Sequence, residues 1–132
     1  MNWDAFEKEI EKLATRVTSP MDVIVPIAQG GLTPGRMLAS KLHVKMIYAL
    51  TVIKSGEQRK IVTTINDELK NKNILLVEDI LETGESMLIA KNYLERKGAK
   101  VQTVCLYTMP QTTFVPDYYL GKISSLISFP WE

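Results

Sequence analysis

The chain has 132 residues, 45% of them apolar and 23% charged, the size and make-up of one globular domain with one hydrophobic core. Sixteen Lys and Arg stand against fifteen Asp and Glu, a formal charge of +1, which argues against nucleic-acid or membrane binding driven by bulk charge. A single cysteine, Cys105, and a single histidine, His43, exclude a disulfide framework and cysteine-based or multi-histidine zinc sites, leaving carboxylates, hydroxyls, backbone amides and a hard metal for any chemistry.

Trp3, Phe6, Ile10, Leu13 and Val17 recur at steps of 3, 4, 3 and 4 with charges between them, which predicts an amphipathic helix over 3–17 that stops at Ser19-Pro20. Its Trp and Phe are anchors for the core or for a subunit contact. Residues 21–28 (MDVIVPIA) read as a buried strand running into the glycine turn Gln29-Gly30-Gly31. Residues 32–42 read as a helix, with His43 at its end as a partner of the helix dipole. A second strand is expected over 44–53 and another over 61–65; between them the polar stretch 54–60 is either a hairpin loop or a mobile functional loop. Ile74-Leu75-Leu76-Val77 is a compact strand that runs straight into Glu78-Asp79. Residues 84–97 read as a helix capped by Gly98, and 101–108 as a strand holding Cys105 as an inert buried thiol. The basic side chains of Lys91, Arg96, Lys97 and Lys100 read as a solvated face. Beyond Pro110 the chain is turn-rich, with β-prone pieces at 118–120 and 126–129, and an ordered end at Trp131 and Glu132. The alternation predicts an α/β fold with a mostly parallel central sheet flanked by helices, and ligands at the carboxyl ends of its strands. No apolar run reaches the roughly 18 residues of a membrane span, and no signal-peptide pattern opens the chain, so the expected compartment is the cytoplasm.

Two strand ends carry unusual chemistry. Adjacent acids such as Glu78 and Asp79 repel each other at a strand end unless they meet a cation or hydroxyl groups. Thr83, Gly84 and Ser86 follow at a helix start, where free amides and two hydroxyls form a cradle for an anion such as a phosphate. A ligand bearing both a diol and a phosphate, a ribose 5-phosphate, matches this order of groups. The alternative is an acidic cluster that only serves the helix dipole. The other strand end, Ala28-Gln29-Gly30-Gly31, lets backbone approach a ligand closely, but it fits neither the Walker pattern nor the dinucleotide fingerprint.

Residues 74–86, ILLVEDILETGES, resemble the phosphoribosyl-pyrophosphate (PRPP) motif of type I phosphoribosyltransferases. Residues 23–42 resemble the pyrophosphate loop and following helix of the bacterial xanthine-guanine type, and Phe129-Pro130-Trp131-Glu132 resembles the Pro-Trp-acid ending of that purine subgroup. The resemblance covers about 21–132 of the chain. It implies a single transferase-like domain: an N-terminal helix (1–19), a core (20–108) and a C-terminal hood over the base pocket (109–132). It also implies transfer of the 5-phosphoribosyl group from PRPP to a purine base, a 6-oxopurine such as guanine, xanthine or hypoxanthine, with Mg²⁺ as cofactor and pyrophosphate and nucleotide as products. The catalytic set it implies is Glu78, Asp79 and Glu82. Glu78 and Asp79 hold the ribose hydroxyls and assist the Mg²⁺ indirectly; Glu82, Thr83, Gly84, Glu85 and Ser86 surround the ribose and 5-phosphate; Glu82 also faces the base. Ala28, Gln29 and Gly30 match the pyrophosphate loop, Ser55, Gly56, Gln58 and Arg59 the mobile loop, and Met109, Leu126, Ile127 and Phe129 the base pocket. Because related proteins are commonly dimers or tetramers, the resemblance also implies a homodimer or homotetramer, with the Trp3/Phe6 helix a candidate contact.

Four positions depart from the pattern. Gln29 stands where a basic residue is usual, so Arg36, Arg59 or a lysine must supply that charge. Glu82 replaces an aspartate and carries one extra methylene. Met109 stands where a lysine usually reads the 6-oxo group, and Leu126 where an aromatic ring usually stacks on the purine. Two rival readings therefore stand beside the enzyme: a non-catalytic PRPP-binding regulator, and a transferase with an unusual acceptor.

Overall fold

A computed structural model describes all residues 1–132. Its main sheet is built on β1 (Val23–Ala28), which takes β3 (Leu50–Ser55) on one side and β5 (Asn73–Val77) on the other, both parallel. β4 (Gln58–Ile61) closes one edge antiparallel to β3, and β7 (Lys100–Val104) extends the other edge parallel to β5. The order β4-β3-β1-β5-β7 makes β1 and β5 neighbours although the chain leaves them in opposite directions across the sheet. That junction is where an open α/β sheet leaves a crevice beyond its strand ends.

Both faces of β1 and β5 are buried, as their uninterrupted apolar runs require. Val23, Val25, Ile27, Ile74 and Leu76 point to the side covered by α3 (Glu85–Arg96), where Met87, Ala90 and Leu94 meet them. Ile24, Leu75 and Val77 point to the side covered by α1 (Trp3–Arg16) and α2 (Leu32–Lys41). Phe6 is wholly buried there, so that aromatic is spent inside the chain and is no subunit anchor. Asn2 caps α1 by accepting the Ala5 amide at 2.8 Å. Gly98 ends α3 at φ +87°, as its place just past the last turn predicted. His43, at φ +57° and exposed, follows the end of α2.

The expected strand over 44–53 is split. β2 (Met46–Ile47) pairs with Val23 and Ile24, and β3 resumes at Ile27 in the same register. Tyr48 donates to Ile24 at 3.1 Å, but the next rung needs an N–H from residue 26, which is proline. The stretch 54–60 is a hairpin whose turn is only Gly56-Glu57, with Gly56 at φ +64° as the left-handed residue such tight turns need. The strand expected over 61–65 leaves the sheet after Ile61; Ile65 is buried instead under α3, its amide donating to the Tyr93 hydroxyl at 3.1 Å.

The strand expected over 101–108 is also broken, and Cys105 lies in the break rather than within a strand. β5 breaks at the matching place. After Glu78-Asp79 it continues as β6 (Ile80–Leu81), and after Cys105-Leu106 β7 continues as β8 (Tyr107–Thr108). Val77 faces Val104 before the gap and Ile80 faces Tyr107 after it, so both strands skip the same number of rungs. β6 and β8, with β9 (Gly121–Lys122), form a separate three-stranded parallel sheet. The β-prone pieces at 118–120 and 126–129 do not become strands; Tyr118 makes one bridge to Val104. No helix is long and apolar enough to cross a membrane.

Candidate active site

The break after β5 is what frees two carboxylates. Residues 78 and 79 no longer alternate into the packed faces of the sheet, and their backbone is tied down by other means. Glu78 donates its amide to Val104 at 3.1 Å, and the Asp79 carbonyl accepts from Leu106 at 2.9 Å and Tyr107 at 3.3 Å. Asp79 Oδ1 accepts the Ile80 amide at 2.6 Å. With the backbone so held, the side chains border a cavity of about 480 Å³, ample for a nucleotide-sized ligand.

The glycine turn after β1 forms the facing wall. A Cβ on Gly30 would lie 2.6 Å from the Asp79 carboxylate, so only glycine lets this loop rest against the acid. The Ala28–Gln29 peptide preceding it is cis. Gln29 and Gly30 line the cavity; Ala28 does not.

A third wall is the start of α3. Gly84 takes φ +85°, and the Thr83 hydroxyl accepts the Glu85 amide at 3.3 Å. The next amides, of Ser86 and Met87, find no protein acceptor and remain free for an anion. Behind this cradle stands the segment after β8. Thr113 donates its amide and its hydroxyl to the Thr83 carbonyl at 3.1 and 3.4 Å, and a Cβ on Gly84 would meet Phe114 at 2.5 Å.

The charge in this cavity is one-sided. Glu78, Asp79, Glu82, Glu85 and Glu132 all line it, and Arg59 is the one Lys or Arg among the lining residues. Burial pushes the Glu78 carboxyl up to about 8, helped by the neighbouring charge of Asp79 and then Glu82, with Arg59 pulling the other way. Asp79 is raised as well, chiefly by burial; its hydrogen bond from Ile80 opposes this, and Glu132 and Glu82 add to it. Arg59 reaches the cavity from β4 and pairs with Glu85 through Nε–Oε2 at 3.0 Å. Cys105, buried beside the acids, has its thiol pushed up by burial first and by Glu78 second, which keeps it protonated and inert.

The fourth wall is aromatic and aliphatic. Leu126, Ile127, Phe129 and Trp131 line it together with Ile80 and Leu81. The Phe129 and Trp131 rings stack at 4.7 Å with planes 2° apart. Glu132 accepts the Phe129 amide at 3.1 Å, which fixes this terminal turn.

Of the residues singled out in the sequence, Glu78, Asp79, Glu82, Thr83, Gly84, Glu85, Ser86, Gln29, Gly30, Arg59, Leu126, Ile127 and Phe129 therefore meet around one cavity. Met109 does not. Its amide donates to the Leu81 carbonyl at 2.9 Å and its side chain packs against the core cluster under α1 and α2, outside the cavity lining. Ser55, Gly56 and Gln58 also stay outside, because the hairpin turn projects into solvent and only the inward residue of β4 reaches the site. Arg36 is exposed and does not line the cavity, so among the named substitutes for the missing charge at Gln29 only Arg59 is present. The apolar Phe-Pro-Trp run signals Trp131 and Glu132, and Ile80 and Leu81 lie within the 74–86 motif; nothing local signals the Arg59–Glu85 pair.

Residues 2–132 match the family model of the phosphoribosyl transferase domain. The crystal structure of a purine phosphoribosyltransferase from Pyrococcus horikoshii is similar with a TM-score of 0.93 at 31% identity, covering 100% of this chain and 92% of that one. Xanthine-guanine phosphoribosyltransferase of Gluconobacter oxydans is 25% identical over 143 residues, spanning 100% of this chain and 83% of that protein. A xanthine-guanine-hypoxanthine phosphoribosyltransferase of Helicobacter pylori shares the fold with a TM-score of 0.84 at 24% identity, over 99% of this chain and 90% of that one.

Proposed function

The chain belongs to the phosphoribosyltransferase family and is an enzyme of that kind, and from this premise we propose that it transfers the 5-phosphoribosyl group of PRPP to a purine base, a 6-oxopurine such as guanine, xanthine or hypoxanthine, releasing pyrophosphate in nucleotide salvage. The observation that carries this reading is the meeting of a carboxylate pair, a glycine loop and an amide cradle around one cavity. Glu78 and Asp79 accept hydrogen bonds from the ribose 2- and 3-hydroxyls, which relieves the mutual repulsion of two acids that burial has already raised. The amides of Ser86 and Met87, with the hydroxyls of Thr83 and Ser86, take the 5-phosphate. The Gln29-Gly30 turn takes the pyrophosphate, with Arg59 as the cation that Gln29 lacks.

The transition state resembles an oxocarbenium ion. The protein's work is then to hold the ribose against both the base and the leaving group, and to keep negative charge beside the developing cation. The acid-rich lining of the cavity suits that task. Glu82 lies on the base side and holds or accepts the proton the base gives up. Leu126, Ile127, Phe129 and Trp131 enclose the base ring, with aromatic faces from the last two in place of one at 126.

No three acidic, histidine or cysteine side chains converge so as to hold a metal by themselves. The donor set fits Mg²⁺ only as a shared ion, with hard oxygens from Glu78 and Asp79 and the remainder from ligand and water. Such an ion, when bound, neutralises the departing pyrophosphate. Assembly into homodimers or homotetramers belongs to the same proposal.

Calorimetry with PRPP in the presence and absence of Mg²⁺, followed by assay of pyrophosphate release with guanine, xanthine and hypoxanthine, tests the reading. Magnesium-dependent affinity and release with at least one of these bases is expected. Affinity without release for any base turns the protein into a binding module, and no affinity at all removes the reading.

A further inference from the structure

Helix α1 contributes nothing to the lining of the cavity; Glu7 and Glu11 pair with Lys41 of α2, while its first turn meets the acceptor wall. The Met1 ammonium donates to the Ser128 carbonyl at 3.0 Å. The Phe6 ring meets Trp131 edge-on at 4.9 Å and Phe129 edge-on at 6.0 Å. The Trp3 ring lies 6.4 Å from that of Trp131 and 6.2 Å from that of Phe6. Further along the helix, Glu9 accepts from the Tyr107 hydroxyl at 2.8 Å and Arg16 donates to the Tyr119 carbonyl. By contrast, no side chain of α1 is hydrogen-bonded or ion-paired to Glu78, Asp79 or residues 82–86. The first turn of α1 therefore lies against the Phe129–Trp131 stack, with Phe6 along its side, and takes no part in lining the cavity.

We propose that Trp3 is a positioning residue for the acceptor: it holds Trp131, and through it the Phe129–Trp131 stack, at the attitude that receives the base. This inference rests on the transferase reading above, whose acceptor site it concerns. Phe6 is wholly buried and fills the core, so its loss would unsettle the fold as a whole. Trp3 is 52% exposed, so the fold needs little of its ring, and its aromatic neighbours are Phe6 and Trp131. Its effect is therefore one-sided, on the base and not on the sugar phosphate.

The chain holds only two tryptophans, Trp3 and Trp131, so Trp3→Ala leaves Trp131 as the sole indole and its emission reports the acceptor wall alone. Guanine is titrated against this emission in the presence of magnesium pyrophosphate, and PRPP with Mg²⁺ is titrated by calorimetry. Relative to the unaltered chain, Trp3→Ala is expected to raise the Kd and KM for the base about five-fold, the worth of one lost aromatic contact, with kcat and PRPP affinity unchanged. Trp3→Phe should restore base affinity, and Trp131 anisotropy should fall in Trp3→Ala. Unchanged base affinity in Trp3→Ala, or equal loss of base and PRPP affinity, overturns the positioning role while the transferase reading stands. An unaltered chain that binds neither PRPP nor purine overturns the transferase reading, and this inference with it.

Discussion

The two halves of the cavity are built in opposite ways. The half proposed for the sugar phosphate is local. Its acids, hydroxyls and free amides come from ten consecutive residues, 78–87, and two of its internal bonds join near neighbours, Ile80 to Asp79 and Glu85 to Thr83. The acceptor half is assembled at a distance, from a turn near residue 130 pressed against the first turn of α1. A locally built site is specified by a short motif and fails when any member changes. A remotely built site is specified by packing and changes by degrees.

The sharpest way to break this contrast is Gly84→Val. The residue sits at φ +85° and its Cβ would lie 2.5 Å from Phe114 Cβ, so the cradle and its buttress cannot both persist. PRPP affinity should vanish in calorimetry and the melting temperature should fall, since a left-handed β-branched residue alone costs about 1–3 kcal/mol. Retained affinity would mean that the local half tolerates what its geometry forbids.

Asp79→Asn tests function without the steric change. Turnover should drop about 100-fold or more, on the scale of losing one preorganised polar contact at a reacting centre. The melting temperature should hold or rise, because burial already disfavours the charge that is removed.

Glu78→Gln sharpens the comparison through pH. Glu78 is pushed from 4.5 in the unfolded chain up to about 8 in the fold. A carboxyl raised in this way contributes stability that is complete below its unfolded value and is lost as pH rises through the folded one. The unliganded protein should therefore lose on the order of a few kcal/mol between those two pH values, and Glu78→Gln should flatten that slope in thermal melts. An equal slope in both proteins would mean that the carboxyl is better solvated than its surroundings indicate.

Gln29→Arg has the smallest expected effect. It adds a second cation to a cavity lined by five carboxylates and one arginine, and pyrophosphate should bind about two- to five-fold tighter, the worth of a half-exposed ion pair. No change would show that Arg59 already meets the need.

The difference between the halves also explains what the sequence disclosed. The motif at 74–86 was legible because its chemistry and its geometry share one stretch of chain. The helix caps at Gly98 and Asn2 and the tight turn at Gly56 have local signals of the same kind. The ladder gap opposite Pro26 was readable in principle, but only after knowing that β1 and β3 pair. Met109 follows β8 and is tied to Leu81, and whether its side chain enters the cavity depends on packing that no nearby residue announces. The closure of Trp131 against Phe6 and Trp3 joins the two ends of the sequence, where periodicity carries no information.

The matched gap in β5 and β7 has a consequence for how this fold can vary in length. One residue inserted at 78–79 alone would slide Ile80 out of step with Tyr107 and exchange the faces on which the two buried side chains of the short strand pack. Such an insertion survives only with a compensating one at 105–106, so the two positions form a coupled ruler along which the chain can neither grow nor shrink independently. The exposed connection around Val115 has no such counterpart and is free to lengthen.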